Sequence, residues 1–356
     1  MEAQELLQDI VFVILYGVVI GLGVATALYL LLRRGNAIAP EVKSPVRLRR
    51  WAAAFMLACT LSHVFWLIYA LHPSPTFYAI VLGLDLLILV PTIAGLMLSM
   101  LQDRHRPVWP MLVALFPAFV ILALCIIRGD EVLYLPLSIY LYALYASMIL
   151  YMYFAVRRYR RWLRDNYADL EHKEVWQSFL ILAVFLLFFV MYSSIANGST
   201  LLVYLLQIDC IIIVALLLWR VETLETLSES TPVKGSAPQA ISVDIAPLLK
   251  KHCENKHLYL QHDLSLSQLA QAIGTNHYYL SQYFSQQGLT YNAYINGLRI
   301  RHFIRLYEKA MAEKRAFTAQ QLAFESGYRS YSTFSAAFKQ YTGKTVTTWM
   351  QQLGQS

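Results

Sequence analysis

The chain has 356 residues, of which 58% are hydrophobic and only 14% are charged. A soluble globular domain is typically about 25% charged, so this composition excludes a wholly soluble protein, and the length exceeds one ordinary domain. The net charge of +7 comes from 29 Lys and Arg against 22 Asp and Glu, and these charges are unevenly distributed along the chain.

Long apolar stretches fill the first 220 residues. Each is 20 to 25 residues long, and about 20 apolar residues in a helix cross the hydrocarbon of a bilayer. Together they contain two formally charged residues, Asp85 and Asp209. Because charges and unpaired backbone groups are costly in hydrocarbon, the pattern predicts seven membrane-spanning helices. The predicted spans are 10–32, 51–71, 77–101, 108–127, 132–156, 176–197 and 199–219.

The basic residues of the loops predict an orientation. Loops 33–50, 102–107 and 157–175 contain fourteen Lys and Arg, whereas the alternate loops contain only Arg128. Lys and Arg are concentrated in the cytoplasmic loops of membrane proteins. The count therefore predicts that the N-terminus lies outside the cell and that everything after residue 220 lies in the cytoplasm.

The part of the chain after residue 220 differs in composition. Residues 221–240 are rich in Ser, Thr, Pro and Gly and lack apolar periodicity, which predicts a flexible linker. Residues 241–356 carry 12 Lys and Arg against 6 Asp and Glu and have no apolar run long enough to span a membrane. A small basic helical domain indicates nucleic-acid binding. The predicted domains are thus a membrane domain over 1–220, the linker, and a DNA-binding domain over 241–356.

A pattern of helix, turn and helix occurs twice in the last domain. In the first copy, apolar residues fall on one helical face, Gly274 can form the turn and Thr275 can cap the next helix. Some 53 to 54 residues later the pattern returns, with Gly327 matching Gly274. This spacing predicts two helix-turn-helix units in tandem. The apolar residues are Leu266, Leu269, Ala270, Ile273, Leu280, Tyr283 and Phe284 in the first unit, and Leu322, Ala323, Phe334 and Phe338 in the second.

A further helix is predicted between the two units. Residues 291–310 show helical spacing of apolar side chains at Tyr294, Leu298, Phe303 and Leu306. About 20 residues at 1.5 Å per residue make a rod about 30 Å long, which is close to the pitch of B-DNA. Such a rod could set the second helices of the two units into successive segments of the major groove.

These residues resemble the C-terminal DNA-binding domain of AraC/XylS-type transcription regulators. The resemblance covers about 100 residues, 255–354, and is carried by LSLSQLAQAIGTNHYYLSQYFSQQ, YINGLRI and LAFESGYRSYSTFSAAFKQYTGKT. It implies a homeodomain-like all-α domain that binds double-stranded promoter DNA, and a bacterial source. With the predicted spans, a bacterial source predicts a location in the cytoplasmic membrane. We expect a homodimer on the DNA.

The resemblance also implies positions for DNA contacts. Gln282 stands where many members have Arg, and Gln can pair with N6 and N7 of adenine. Ala336 stands at a second frequent Arg position, and Val346 replaces the usual proline. The implied base-reading residues are Asn276, His277, Tyr278, Ser281 and Gln282 in the first unit and Ser330, Tyr331, Ser332 and Ser335 in the second. The candidates for phosphate contacts are Arg299, Arg301, Arg305, Arg329, Lys339 and Lys344, with a structural ion pair as an equal alternative for Arg299.

Ionisable side chains inside the predicted spans indicate a second site. His63, Asp85 and Asp209 each lie about 8 to 10 residues from the outer end of a span, which is roughly 12 to 15 Å at 1.5 Å per residue. Together with Gln207 they could form a polar cluster that binds a small polar or cationic ligand, or a proton, from outside. In the alternative, each side chain hydrogen-bonds to a neighbouring helix and only stabilises the bundle.

Enzyme signatures are absent from the sequence. We find no phosphate-binding glycine loop, HExxH, nucleophile elbow or kinase signature. The four cysteines, Cys59, Cys125, Cys210 and Cys253, fit neither a disulfide framework nor a zinc pattern, and we expect no metal and no cofactor. The prediction is an all-α, non-enzymatic protein in which a seven-helix membrane sensor controls a tandem helix-turn-helix domain. In the alternative, the membrane helices are only an anchor or a transporter-like module, and abundance or a protein partner controls DNA binding.

Overall fold

Most of the residues that the structure describes lie in helices. The computed structural model describes residues 8–33, 35–40, 42–128, 133–184, 200–227 and 244–354. Within these residues the β-type pairing is limited to one isolated antiparallel bridge between Tyr167 and Ser265. The predicted all-α fold class is confirmed.

The chain divides into two units. Unit 1 consists of Met1–Tyr159 and Val175–Leu227, and unit 2 consists of Arg160–Glu174 and Ser228–Ser356. Segment 160–174 therefore belongs to unit 2, although two apolar stretches flank it in the sequence.

Unit 1 is built mainly from long apolar helices. In the described residues, six helices are long and apolar enough to cross a membrane. The stretch predicted as the sixth of seven spans, 176–197, is helical over 176–184, and its remainder lies outside the described residues. The six helices are α1 (Ile10–Leu32), α2 (Val46–Leu71), α3 (Pro75–Met100), α4 (Trp109–Arg128), α5 (Tyr134–Asn166) and α6 (Thr200–Thr223).

The sequence explains local features of α3. Ser74 caps the helix, because its Oγ accepts a hydrogen bond from the amide of Phe77 at 3.1 Å. Pro75 follows in the first turn, where backbone N–H groups have no helical acceptor, so the missing N–H of proline costs no hydrogen bond. A π-helical turn at Asp85–Leu89 precedes Pro91. Proline cannot donate a helical hydrogen bond, which favours a local change of helical register at this point.

The end of α6 is held inside unit 1. Glu222 is fully buried, and its carboxylate accepts hydrogen bonds from the amides of Ala37 at 2.9 Å and Ile38 at 2.7 Å. Residues 221–223, at the start of the predicted linker 221–240, therefore belong to the last turn of α6. Residues 228–243, which contain most of that predicted linker, lie outside the described residues.

Unit 2 places one long helix between two helix-turn-helix units. Helices α8 and α9 form the first unit, α11 and α12 form the second, and α10 joins them in sequence. A short helix precedes the first unit and another follows the second. The helices are α7 (Ile245–Leu249), α8 (Leu266–Ala272), α9 (His277–Gln286), α10 (Tyr291–Ala312), α11 (Ala319–Glu325), α12 (Tyr331–Thr342) and α13 (Val346–Gly354).

Each helix-turn-helix unit has its own apolar core, and α10 contributes to both. The first half of α10 supplies Ile295 and Leu298 to the first core, and the second half supplies Phe303 to the second core. Tyr294 and Leu306 pack against the first and the second core, respectively, as partly buried side chains. The predicted apolar residues Leu266, Leu269, Ala270, Ile273, Leu280 and Phe284 are buried in the first core, and Leu322, Ala323, Phe334 and Phe338 in the second.

The first helices of the two units begin with the same local chemistry. Ser265 and Gln268 form a capping box at α8, and Thr318 and Gln321 form one at α11. In both, the hydroxyl accepts from the backbone amide three residues later, and the Gln side chain accepts from the amide of the capping residue. The 53-residue repeat therefore extends from the apolar pattern to the caps.

The turns between the helices also repeat. Gly274 and Gly327 have φ of +76° and +88°, a conformation that favours glycine. The predicted cap at Thr275 is wrong, because α9 begins at His277 and the residue directly before it is Asn276. The Asn276 side chain accepts a hydrogen bond from the amide of Tyr279 at 2.9 Å and thus caps α9.

Candidate nucleic-acid interface

The second helix of each unit begins at a polar cap. Ser330 Oγ accepts a hydrogen bond from the amide of Thr333 at 3.3 Å in α12, as Asn276 does from Tyr279 in α9. These two predicted base-reading residues therefore hold the starts of α9 and α12 in place. In helix-turn-helix proteins the N-terminal part of the second helix contacts the bases, so the caps define the part of each helix that matters for binding.

One face of each second helix is buried, and the opposite face is at the surface. Leu280 and Phe284 of α9, and Phe334 and Phe338 of α12, are 3% exposed or less. The other predicted base-reading residues are at least partly exposed, although Tyr331 also packs against the second core. Tyr278, Gln282 and Ser332 are exposed, and His277, Ser281, Tyr331 and Ser335 are partly exposed.

The tyrosines divide between surface and core. Tyr278 is 68% exposed. Tyr279 and Tyr283 pack as partly buried side chains against the first core, and Tyr331 packs in the same way against the second. In α9, Tyr278 is thus the tyrosine whose ring is most available to an external ligand, whereas Tyr331 is shared between packing and the surface.

Arg299 lies in the interior of unit 2. Its side chain is 1% exposed, and its guanidinium donates hydrogen bonds to the carbonyl oxygens of Tyr259 at 2.7 Å and Gln261 at 2.6 Å. A third bond reaches the carbonyl oxygen of His262 at 3.2 Å. Because a buried guanidinium cannot reach a DNA phosphate, the predicted phosphate contact at Arg299 is wrong. The residue joins α10 to the segment that precedes α8 and has a structural role.

The other basic candidates are accessible. Arg329 is partly exposed in the turn before α12, and its NH1 lies 3.9 Å from Asp263 Oδ1. Two exposed arginines occupy one side of α10 and one exposed lysine lies on α12, so cations are available on the elements that flank the second helices. Exposed cations can neutralise DNA phosphates. The exposed members of the set are Arg301, Arg305, Lys339 and Lys344.

Segment 160–174 contacts the starts of both second helices, which sequence reasoning missed. Asn166 Oδ1 lies 2.6 Å from His277 Nε2, at the first residue of α9. Glu171 Oε2 accepts a hydrogen bond from Thr333 Oγ1 at 3.2 Å, in the first turn of α12. The Lys and Arg of this segment predict membrane orientation, and it has no apolar periodicity that would indicate packing against another element.

In unit 1, the structure brings two of the four predicted sensing residues together. His63 Nε2 lies 3.0 Å from Gln207 Oε1. Asp85 Oδ2 instead accepts a hydrogen bond from Trp66 Nε1 at 2.8 Å. Asp209 is buried, and its Oδ2 has no hydrogen-bond partner among the described residues. Direct hydrogen bonding among the four is therefore limited, in the described part of the chain, to His63 and Gln207.

Aromatic packing fixes the His63 ring. The ring of Tyr16 is stacked on that of His63, with centroids 4.4 Å apart and planes 17° apart. The Tyr16 hydroxyl donates a hydrogen bond to the backbone carbonyl of His63 at 2.6 Å. The imidazole is thus held on one side by Tyr16 and at its Nε2 atom by Gln207.

Comparison with known proteins agrees with the geometry of unit 2. A family model described as a helix-turn-helix domain matches residues 269–352, from within α8 to within α13. No curated protein and no solved structure matches the chain. The match covers both second helices and the joining helix α10. The match at residues 269–352 supports an AraC-type helix-turn-helix domain in this part of the chain, and it does not extend to the apolar helices of unit 1.

Proposed function

We propose that this protein is a membrane-bound, sequence-specific transcription regulator. The observation that carries the proposal is the AraC-type domain at residues 269–352, joined in one chain to six helices long and apolar enough to cross a membrane. The domain supports a DNA-binding regulator, since this family is one of regulators and not of enzymes. We propose no enzymatic activity.

The geometry of unit 2 supports binding to successive segments of the major groove. Helix α10 has 22 residues and is therefore about 33 Å long at 1.5 Å per residue, near the length of one turn of B-DNA. Each second helix exposes polar side chains beside its capped start. Gln282 and Tyr278 on α9, and Ser332 on α12, are the residues that we propose read bases, and Arg301 and Lys339 are proposed phosphate contacts.

The surface of unit 1 supports insertion in a bilayer. Large apolar side chains are exposed along its helices, including Phe116 at 66% and Leu135 at 69%. Soluble proteins rarely expose contiguous apolar surface of this kind, whereas lipid is a suitable environment for it. With the positive-inside distribution of Lys and Arg, we propose a bacterial cytoplasmic membrane location, an external N-terminus and a cytoplasmic unit 2.

We further propose that unit 1 senses a signal. His63 and Gln207 are hydrogen-bonded to each other, and Asp209 is a buried carboxyl group in the same helix as Gln207. Ionisable groups inside a membrane bundle are expensive and usually functional. The ligand class is a small polar or cationic molecule, or a proton, from outside. The signal would change the pairing of unit 2 as a homodimer on DNA, or its reach along the promoter.

The alternative is that unit 1 acts only as an anchor or as a transporter-like module. The hydrogen bond between Asp85 and Trp66 favours it, because that carboxylate already has a partner inside the bundle. The two functions differ in the response to Asp209→Asn. A sensor should lose its response to the stimulus at normal protein level, whereas an anchor should show a change in protein level alone.

The DNA-binding function is tested by footprinting. Full-length protein in lipid nanodiscs is mixed with the DNA that lies upstream of its own reading frame, at several salt concentrations. We expect protection of two segments about one helical turn apart. Binding that is weak, strongly dependent on salt and without any footprint would contradict sequence-specific recognition.

A further inference from the structure

Segment 160–174 is docked on the DNA-binding domain by its middle residues. Tyr167 and Ala168 are buried, and Ala168 is part of the first core of unit 2. The amide of Ala168 donates to the carbonyl of Leu264 at 3.3 Å. Asn292 Nδ2, on α10, donates to the Ala168 carbonyl at 2.7 Å. These contacts fix the segment beside α8 and α10.

One end of the docked segment reaches the start of α9. Asn166 Nδ2 donates to the carbonyl of Trp162 at 2.7 Å, so Asn166 Oδ1 is the acceptor in the 2.6 Å contact with His277 Nε2. The Nε2–H of His277 is therefore already used. Burial lowers the pKa of His277 and so favours the neutral ring, and the acceptor Asn166 Oδ1 places the remaining proton on Nε2. A residue that would otherwise face a base or a phosphate is thus engaged by the segment.

The other end places a carboxylate at the start of α12. Asp169 Oδ1 accepts from the amide of Glu171 at 3.0 Å and so orients that turn. Glu171 Oε2 then accepts from the hydroxyl of Thr333, the third residue of α12, at 3.2 Å. The N-terminus of a helix attracts anions, and this is how helix starts bind DNA phosphates. Glu171 occupies a position that suits a phosphate oxygen.

Lys173 of the segment and Arg329, a candidate phosphate contact, pair with the same carboxylate, that of Asp263. Lys173 Nζ lies 3.8 Å from Asp263 Oδ1, and Arg329 NH1 lies 3.9 Å from the same oxygen. Arg329 directly precedes Ser330, the cap of α12, so a cation beside that helix start is paired with the same carboxylate as Lys173 of the segment. Both second helices are thus affected by one continuous stretch of chain.

We propose that segment 160–174 is an intramolecular competitor of DNA, with Asn166 and Glu171 occupying the starts of both second helices until DNA displaces them. This inference rests on the proposed DNA-binding function. The segment begins at the C-terminal end of α5, an apolar helix of which the part up to Tyr159 belongs to unit 1. Because the segment continues α5, a conformational change in α5 can move the segment away from the starts of α9 and α12. Release of the segment would raise the affinity for DNA.

The test compares variants of the full-length protein in nanodiscs. The probes are a fluorescent duplex of the DNA upstream of its own reading frame and a scrambled duplex of the same length. The double variant Asn166→Ala with Glu171→Ala should bind the upstream duplex about tenfold more tightly than the unmodified protein, because two competing hydrogen bonds are lost. Glu174→Ala is the matched control, since Glu174 is ion-paired with Arg160 at 3.3 Å and its loss removes the same charge.

Three outcomes are distinguishable. Tighter binding by the double variant, with no more than a small gain in the Glu174→Ala control, supports the inference. Equal affinities for all three proteins on the upstream duplex would overturn it and leave the DNA-binding function intact. If no protein binds the upstream duplex better than the scrambled one, the proposed function fails, and the inference fails with it.

A second test uses the unmodified chain, so its result does not depend on whether a variant folds. Hydrogen exchange of residues 166–171 is followed in the full-length protein with and without saturating upstream DNA. Displacement of the segment predicts faster exchange in the DNA-bound protein. Unchanged or slower exchange in a protein that has bound DNA would show that the segment stays docked, and would contradict competition.

Discussion

Arg299 and Arg301 are two residues apart on α10 and lie in opposite environments. The guanidinium of Arg299 is buried against three backbone carbonyls, whereas Arg301 is exposed. Replacing Arg299 by Met would leave those carbonyls without donors, and we expect unit 2 to lose about 3 kcal/mol or more of unfolding free energy. Hydrogen exchange of α10 amides in the full-length protein measures the loss. Exchange at the unmodified rate would contradict the structural role.

Arg301→Met is the matched substitution for a surface residue. It should change the stability of unit 2 by no more than about 0.5 kcal/mol. If Arg301 contacts a phosphate, the dependence of DNA affinity on salt should become shallower by about one unit of slope. A salt slope identical to that of the unmodified protein would remove Arg301 from the phosphate contacts.

The two turn glycines should differ in their tolerance of alanine. Both have positive φ, which costs an L-residue roughly 1–2 kcal/mol. At Gly327 a Cβ atom would also lie 2.8 Å from the backbone of Leu260, whereas at Gly274 it would meet nothing within 4 Å. We therefore expect Gly327→Ala to destabilise unit 2 clearly more than Gly274→Ala, in thermal unfolding of the full-length protein. Equal losses for the two variants would contradict the close approach at Gly327.

Residue-scale roles were only partly predictable from sequence. Ile295, Arg299 and Phe303 are spaced four residues apart, which places all three on one face of α10, and two of them are core residues. That spacing predicts that Arg299 faces the core. The carbonyl acceptors, however, come from residues 259–262, some 40 positions earlier, and helical periodicity does not reveal such contacts.

At the scale of elements, α10 couples the two helix-turn-helix units. Phe303 is fully buried in the second core, and Ile295 on the same helix is fully buried in the first. Phe303→Ala should cost about 3–5 kcal/mol. Because α10 contributes to both cores, amides of both units should exchange faster in the variant. Faster exchange in α11 and α12 alone, with α8 and α9 unchanged, would mean that the units unfold independently.

The tandem repeat was predictable because several local signals coincide in each copy. Apolar spacing, a glycine at the turn and polar residues before each helix all recur after 53 to 54 residues. The docking of segment 160–174 was not predictable. Its contacts join Asn166 to His277 and Glu171 to Thr333, more than 100 residues apart, through single polar bonds that leave no periodic pattern.

At the scale of the whole molecule, the proposed orientation is open to a direct test. Cysteine-reactive labels that do not cross membranes are applied to intact cells that produce single-cysteine variants at position 3 and position 355, in a background with Cys59, Cys125, Cys210 and Cys253 replaced by Ala. The positive-inside distribution predicts labelling near the N-terminus and none near the C-terminus until the cells are opened. Labelling of the C-terminal position in intact cells would place unit 2 outside and exclude access to DNA.

In the proposed function, a membrane-bound chain reads DNA bases through α9. The test measures the affinity of full-length protein in nanodiscs for the upstream duplex and for the scrambled duplex. The variant is Gln282→Ala, and the control is Gln286→Ala, which removes the same side-chain group one turn later in α9. Loss of a base contact should weaken binding to the upstream duplex roughly 5- to 150-fold for Gln282→Ala, corresponding to about 1–3 kcal/mol. Binding to the scrambled duplex, and both affinities of Gln286→Ala, should stay unchanged. Equal affinity of the unmodified protein for the two duplexes would contradict the account.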